Sequence, residues 1–103
     1  AVERRICSHL LERLTALEDA LRRSSLFWES EVIGSSLFFA ADHKGQCDVW
    51  MLDFGLTRAA PGGRLQHETP WALGNHEDGY LTGLCNLQRL WRRLLAEDEW
   101  GRP

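Results

Sequence analysis

One stretch near the middle of the chain decides the fold: Cys47-Asp48-Val49-Trp50-Met51-Leu52-Asp53-Phe54-Gly55. Every second residue from 47 to 51 is apolar, which is the period of a β-strand whose two faces meet different surroundings. The alternation predicts a strand over Cys47–Asp53, with Asp53 as the last residue of an otherwise apolar row. A carboxylate in that place meets either solvent or a cation.

A second strand precedes this one in the sequence. Residues 32–41 are rich in β-branched and aromatic side chains, which favour strands. Asp42-His43-Lys44-Gly45 supplies turn residues between the two runs, and Gly45 can take a positive φ. The pattern predicts a β-hairpin with strands over Val32–Ala41 and Cys47–Asp53.

Apolar residues at three- and four-residue spacing predict an amphipathic helix on each side of the hairpin. The first helix covers about Val2 to Arg23. The second is expected to begin near Asn75, because asparagine is a good N-cap and acidic residues follow it in the first turn. Residues 55–74 are predicted to form a loop, and residues 98–103 a flexible tail.

The order helix, strand, strand, loop, helix is typical of the α+β class, with two helices packed on one side of a small sheet. A two-stranded sheet is marginal by itself. The chain also starts at Ala1 and holds one methionine, Met51. We therefore expect a fragment or a processed product, in which residues 1–97 are the C-terminal part of a larger domain.

Length and composition exclude several classes of protein. The chain has 103 residues, of which 44% are hydrophobic and 26% charged, as in a globular domain or a piece of one. A net charge of −3 argues against a nucleic-acid partner. No apolar run approaches the ~18 residues of a membrane span. Three widely spaced cysteines argue against a disulfide framework and fit a reducing compartment, which predicts a cytoplasmic location.

Three other features have ordinary structural interpretations. The chain has no Cys-x-x-Cys motif and no histidines at ligand spacing, so we expect no structural zinc site. We expect the five tryptophans in the core rather than on a stacking platform for bases, because no basic groove accompanies them. Acidic residues interleave with the arginines of the first helix, which favours a solvated face over a calmodulin-target or membrane-surface helix.

The tripeptide Asp53-Phe54-Gly55 is the candidate for chemistry. In phosphoryl-transfer enzymes an aspartate at the end of an apolar strand holds Mg²⁺, which bridges the nucleotide phosphates. Mg²⁺ prefers oxygen ligands, and the glycine lets the backbone turn away. The alternative is a strand that ends in an ordinary turn, where Asp and Gly are common for local reasons. An isolated tripeptide does not decide between the two.

Further segments give the tripeptide its context. They are Glu31-Val32-Ile33-Gly34-Ser35-Ser36-Leu37-Phe38-Phe39, then Val49 to Gly55, then Pro70-Trp71, then Gly74-Asn75-His76-Glu77-Asp78-Gly79-Tyr80-Leu81. In these motifs the chain resembles the C-terminal part of the inositol polyphosphate kinases, and among them the inositol-trisphosphate 3-kinases. The resemblance runs from the first helix to about Leu95 and is strongest from Glu31 to Leu84.

The resemblance implies a two-lobed kinase fold with ATP and Mg²⁺ between the lobes. It also implies transfer of the γ-phosphoryl group of ATP to the 3-hydroxyl of inositol 1,4,5-trisphosphate. Asp53 matches the metal-binding aspartate of the family. Ser35 and Ser36 begin its Ser-Ser-Leu-Leu motif beside the nucleotide, with Phe38 in place of the last leucine. From the residues alone, the two serines are also compatible with a simple role in capping strand-edge hydrogen bonds.

The chain departs from the family pattern at two positions. Leu56 stands where the 3-kinases have a lysine that contacts a substrate phosphate, so a charge-assisted hydrogen bond of about 1.5–3 kcal/mol is lost. Arg58, on the same face if this segment is a strand, would compensate in part. His76 replaces the usual arginine and is expected in the first turn of the second helix, which calls a structural ion pair into question.

Several groups that the family uses lie before the part that this chain resembles. They are the Pro-x-x-x-Asp-x-Lys-x-Gly motif, the nucleotide-binding lysine, the basic inositol-phosphate segment and the calmodulin-binding segment. Lys44, the one lysine here, is in the hairpin turn, far from Asp53. We therefore leave the catalytic residue unassigned and expect no phosphoryl transfer from this chain alone. Part of a kinase, a non-catalytic kinase-derived interaction module and an unrelated α+β domain remain as hypotheses.

Overall fold

The computed structural model describes residues 2–97. Within them, the elements in chain order are α1 (Val2–Arg22), α2 (Ser25–Trp28), β1 (Ser30–Glu31), β2 (Ser36–Ala41), β3 (Cys47–Leu52), β4 (Arg58–Ala59) and α3 (Tyr80–Leu95). β2 pairs with β3 and β1 pairs with β4, both antiparallel. This arrangement confirms the α+β class. The tail predicted over residues 98–103 lies outside the described residues.

The predicted β-hairpin is present, and β2 and β3 pair over the full six residues of each strand. Asp42 closes the turn, because its Oδ1 atom accepts hydrogen bonds from the backbone amides of Lys44 and Gln46, each at 2.9 Å. Gly45 has a φ of +89°, a region that glycine enters without steric cost. The turn chemistry that the sequence predicts therefore closes the hairpin.

The hairpin is shorter at two ends than the sequence predicts. β2 begins at Ser36 rather than at Val32, because the Val32 amide donates to the Asp78 carboxylate at 2.8 Å and not to a strand. β3 ends at Leu52, and Asp53 has a φ of +66°, which turns the backbone out of the ladder. The predicted start of the first strand at Val32 and the predicted end of the second strand at Asp53 are therefore wrong.

The second long helix, α3, begins at Tyr80, five residues later than predicted. Gly79 precedes it as the N-cap residue with a φ of +67°, and it offers no side chain to cap the helix. Asn75 instead closes a turn within the preceding loop: its Oδ1 atom accepts from the Glu77 amide and its Nδ2 atom donates to the Pro70 carbonyl, both at 3.0 Å. The local cap signal is real, but it serves a loop rather than a helix.

Two further predictions for the segment before α3 are corrected. Residues 55–74 are not entirely loop, because Arg58–Ala59 form β4 and pair with Ser30–Glu31. His76 is not in the first turn of a helix; it has a φ of +61°, and its Nδ1 atom lies 3.2 Å from a carboxylate oxygen of Glu31. His76 stands in place of the usual arginine, which called a structural ion pair into question, and the structure shows it in contact with Glu31.

The core lies between α1, α3 and one face of the hairpin. Leu14 of α1 and Leu81 of α3 have no exposed area. They belong to one cluster with Val49 of β3, while Phe39, opposite Val49 in β2, stacks on Trp91 at a centroid distance of 5.5 Å. Both long helices therefore cover the same face of the hairpin, as predicted. Each fully buried leucine contributes about 1.5–3 kcal/mol.

The tryptophans divide between the core and the surface. Trp28 and Trp91 are half-buried against the core cluster and Phe39 respectively. Trp50 is 47% exposed and Trp71 66% exposed, so the prediction of a core position is wrong for these two. Trp100 lies outside the described residues. Among residues 2–97, no helix is long and apolar enough to cross a membrane.

Candidate functional site

Asp53 stands at the point where β3 ends and the backbone turns away. Its φ of +66° is in the left-handed region, which aspartate tolerates better than most residues. Its side chain is exposed, and so are Phe54 at 54% and Leu56 at 55%. The Asp-Phe-Gly tripeptide therefore presents its carboxylate at the surface, where it can meet a cation or water.

Ser35 and Ser36, the predicted nucleotide-side serines, lie beside the end of β3. The Ser35 Oγ atom donates a hydrogen bond of 3.0 Å to the Leu52 carbonyl, and Ser36 is the ladder partner of Leu52. Leu52 is the residue before Asp53. The structure thus brings Ser35, Ser36 and Asp53 together around one strand end.

Leu56 and Arg58, the predicted substrate-side residues, do not share a strand face. The Thr57 amide donates to the Phe54 carbonyl at 3.0 Å, so Leu56 lies in a turn and Arg58 begins β4. Leu56 packs against Gly34: a Cβ atom on that glycine, whose φ is +74°, would lie 3.2 Å from Leu56 Cδ1. Leucine at this position makes a packing contact that a lysine ammonium group would not make.

The residues present fit a magnesium ion held jointly by the protein and a substrate phosphate better than an ion enclosed by protein ligands alone. Within residues 2–97, no group of three or more His, Cys, Asp or Glu side chains is arranged to hold a metal ion. Mg²⁺ keeps several waters and is held by one or two carboxylates together with substrate phosphates. The single exposed carboxylate of Asp53 agrees with that pattern of ligation.

Sequence reasoning missed His67, which has no exposed area and is the most buried polar side chain among residues 2–97. Its Nδ1 atom lies 2.7 and 2.9 Å from the two carboxylate oxygens of Asp78, whose side chain is 1% exposed. Its Nε2 atom lies 2.7 Å from the Phe27 carbonyl oxygen, and its ring stacks on the Phe27 ring at 3.9 Å. No motif or spacing in the sequence signals this pair.

The two partners stabilise each other in their charged forms. Burial lowers the pKa of His67, but the hydrogen bonds to Asp78 and the Phe27 carbonyl and the nearby negative charges raise it above its ordinary value overall. Burial likewise raises the pKa of Asp78, and the hydrogen bonds from His67 and the Tyr80 and Val32 amides bring it below its usual range. Both ring nitrogens of His67 face acceptors, so the geometry is fully satisfied when the pair is an imidazolium and a carboxylate.

Glu77 holds the same loop from its other side. It is 8% exposed, and its carboxylate accepts hydrogen bonds from the amides of Gln66 at 3.0 Å and His67 at 2.8 Å. Glu77 and Asp78, predicted in the first turn of a helix, precede α3 instead. They accept hydrogen bonds from loop amides that have no partner in a helix or strand, because buried backbone groups must be paired.

Comparison with known proteins decides the family. A family model for inositol polyphosphate kinase matches residues 1–92. The chain belongs to this family. The predicted resemblance to the inositol polyphosphate kinases is thereby confirmed.

The inositol polyphosphate kinase relatives are much longer than this chain. Inositol-trisphosphate 3-kinase B of Homo sapiens is 54% identical over 77 residues, which are 74% of this chain and 8% of that protein. Inositol-trisphosphate 3-kinase A of Rattus norvegicus is 48% identical over 83 residues, 80% of this chain and 18% of that protein. The inositol-trisphosphate 3-kinase homolog of Caenorhabditis elegans is 41% identical over 91 residues, 87% of this chain and 18% of that protein. The chain spans less than a fifth of each.

Proposed function

We propose that this chain is the C-terminal part of the catalytic domain of an ATP-dependent inositol phosphate kinase. The reaction would transfer the γ-phosphoryl group of ATP to the 3-hydroxyl of inositol 1,4,5-trisphosphate, with residues 1–97 as one part of a two-lobed fold. The observation that carries the proposal is the exposed carboxylate of Asp53 at the end of β3, beside Ser35 and Ser36, in a chain of this family.

In this proposal Asp53 supplies the hard oxygen ligand on the nucleotide side. When bound, Mg²⁺ neutralises charge on the phosphates of ATP. The Ser35 hydroxyl already donates to the Leu52 carbonyl, which holds the strand end, and its remaining lone pairs can accept. Ser36 borders the same strand end through the β2–β3 ladder. These residues position the nucleotide, and positioning with charge stabilisation supplies most of the catalysis in this class of reaction.

On the substrate side we propose Arg58 as the phosphate contact. Leu56 offers no hydrogen-bond donor, whereas the exposed guanidinium of Arg58 carries five. The groups that activate the hydroxyl and clamp the nucleotide would come from sequence outside residues 1–103. The chain alone is therefore expected to be inactive.

The test is Asp53→Asn in a protein that joins this chain to the sequence encoded upstream of it. We expect turnover to fall by about a hundredfold or more, because a preorganised charge partner is lost, with the thermal unfolding midpoint unchanged. Asp19→Asn, on the exposed face of α1, is the matched control and keeps full turnover. Equal turnover in Asp53→Asn and in the unmodified protein would overturn the proposal.

A second candidate function is a non-catalytic kinase-derived interaction module. The apolar packing of Leu56 against Gly34, where the family carries a lysine, favours it. Leu56→Lys distinguishes the two functions, with Leu73→Lys, at a 92% exposed position, as the control. A gain of about tenfold in affinity for inositol trisphosphate supports a kinase substrate pocket that has lost one contact. No gain, together with partner binding that Asp53→Asn leaves unchanged, supports the module.

A further inference from the structure

The buried His67–Asp78 pair connects the loop before α3 to α2, which is far away in the sequence. His67 and Asp78 lie in the loop before α3, Asp78 two residues before the helix begins, and the Phe27 carbonyl that meets the His67 ring belongs to α2. A backbone hydrogen bond joins the same two segments, because the Leu65 amide donates to the Trp28 carbonyl at 2.7 Å. We call the His67–Asp78 pair with its Phe27 contact the clamp.

From the clamp, hydrogen bonds lead to the candidate nucleotide site. Asp78 Oδ2 accepts from the Val32 amide at 2.8 Å. Val32 begins residues 32–35, which are not part of a strand. At the other end of that segment, the Ser35 hydroxyl donates to the Leu52 carbonyl at 3.0 Å, next to Asp53. The segment is thus held by the clamp at one end and holds the end of β3 at the other.

Both hydrogen bonds of the clamp form at once only when both ring nitrogens of His67 carry protons. A neutral imidazole has one donor and one acceptor nitrogen, so it would turn a lone pair toward either the Asp78 carboxylate or the Phe27 carbonyl. The charged groups that act on His67 are Asp78 and Glu77, both before α3. From α2 it meets rings and the Phe27 carbonyl, and the guanidinium of Arg64 lies over the Trp28 ring at 4.9 Å.

We propose that His67 is a positioning residue: as an imidazolium it holds Asp78 against the Val32 amide, and residues 32–35 then fix the strand end that carries Asp53. The catalytic meaning of this inference rests on the proposed function. The positioning itself does not, because it concerns contacts within residues 27–81.

Amide hydrogen exchange of His67→Gln tests the positioning, with His43→Gln in the exposed hairpin turn as the matched control. Glutamine carries no charge and cannot donate at both ends. We expect the protection factor of the Val32 amide to fall by about tenfold or more, while the β2–β3 ladder amides keep theirs. His43→Gln should change neither. A Val32 amide as well protected in His67→Gln as in the unmodified protein would overturn the inference.

A measurement on the unmodified protein covers the case in which His67→Gln does not fold. ¹⁵N chemical shifts of the imidazole report whether both ring nitrogens carry protons. We expect an imidazolium at pH 7, and loss of Val32 protection as the pH rises until His67 deprotonates. A neutral His67 ring at pH 7 would overturn the inference without any variant.

Turnover in the kinase-competent protein separates this inference from the proposed function. We expect His67→Gln to lower kcat by about tenfold with little change in the KM for ATP. We also expect an alkaline fall of activity in the unmodified protein, and its absence in His67→Gln. If the unmodified protein has no turnover but His67 is an imidazolium and controls Val32, the proposed function fails and the positioning stands. If turnover depends on Asp53 but not on His67, the inference fails alone.

Discussion

The hairpin and the clamp region hold their shapes by opposite means. The hairpin is regular, yet its outer face leaves Phe38, Trp50 and Leu52 between 43% and 53% exposed. The clamp region around His67 and Asp78 has almost no regular structure, yet both side chains are at most 1% exposed and every bond between them is under 3 Å. Regular secondary structure is therefore a poor guide to which part of this molecule is most tightly held.

The difference follows from where each region finds partners for its backbone. The hairpin ladder satisfies its own amides, so its side chains are free to face solvent or another surface. The irregular segment has no ladder, and the carboxylates of Glu77 and Asp78 take over that task from inside the protein. Burial of these polar side chains is favourable there because buried backbone amides would otherwise have no hydrogen-bond acceptor.

The largest expected effect is on the clamp. Asp78→Asn removes the carboxylate and leaves the His67 imidazolium buried without its counter-charge. We expect the free energy of unfolding to fall by about 3–5 kcal/mol in urea titrations. Asp19→Asn is the control, with a change within about 0.5 kcal/mol. A loss below 1 kcal/mol would mean that the clamp region is not the more tightly held of the two.

The apolar core beneath the hairpin should respond almost as strongly. Leu14→Ala removes a fully buried side chain, and we expect a loss of about 2–5 kcal/mol in the same titration. Leu73→Ala, at a 92% exposed position, is the matched control and should change stability by less than about 0.5 kcal/mol. Similar losses at both positions would show that the core is not where the structure places it.

The clamp should also give stability a pH dependence that the hairpin lacks. The raised pKa of His67 means that its contribution is fully present below the ordinary histidine pKa and is lost as pH rises through the raised value. The lowered pKa of Asp78 means that its contribution is lost as pH falls through that value. The free energy of unfolding should fall on the alkaline side through His67 and on the acid side through Asp78, by no more than about 1.4 kcal/mol per pH unit for each proton. Both falls should be absent in the double variant His67→Gln/Asp78→Asn. An unaltered profile would contradict the charged pair.

The smallest effect concerns the glycine before α3. Gly79 has a φ of +67° and no atom within 4 Å of an added Cβ, so Gly79→Ala should cost about 1 kcal/mol through backbone strain alone. Gly83→Ala, inside α3 and also open around its Cβ position, should instead stabilise by up to about 1 kcal/mol. Thermal unfolding of the two variants tests whether the backbone conformation of Gly79 sets the start of α3.

Sequence patterns predicted the structure correctly where the interacting residues are close together in the sequence. The spacing of leucines in α1 and the Asp42 turn depend on residues a few positions apart, and the structure has both. Asp53 lies one residue beyond the end of β3 rather than inside it. Asn75 shows the limit of the same reasoning, because its cap signal closes a loop turn and α3 starts at Tyr80. A capping residue indicates that a backbone amide without a ladder partner lies nearby, but not whether that amide belongs to a helix or to a loop.

The sequence by itself determined the α+β class, the hairpin, the position of Asp53 and the family to which the chain belongs. Only the tertiary structure decided that His67 and Asp78 form a buried pair, that Val32 leaves the strand and that Leu56 packs on Gly34. The reason is distance along the chain: Asp78 binds an amide 46 residues away and His67 a carbonyl 40 residues away. Such contacts exist only after the helices close on the hairpin, so no local pattern can encode them.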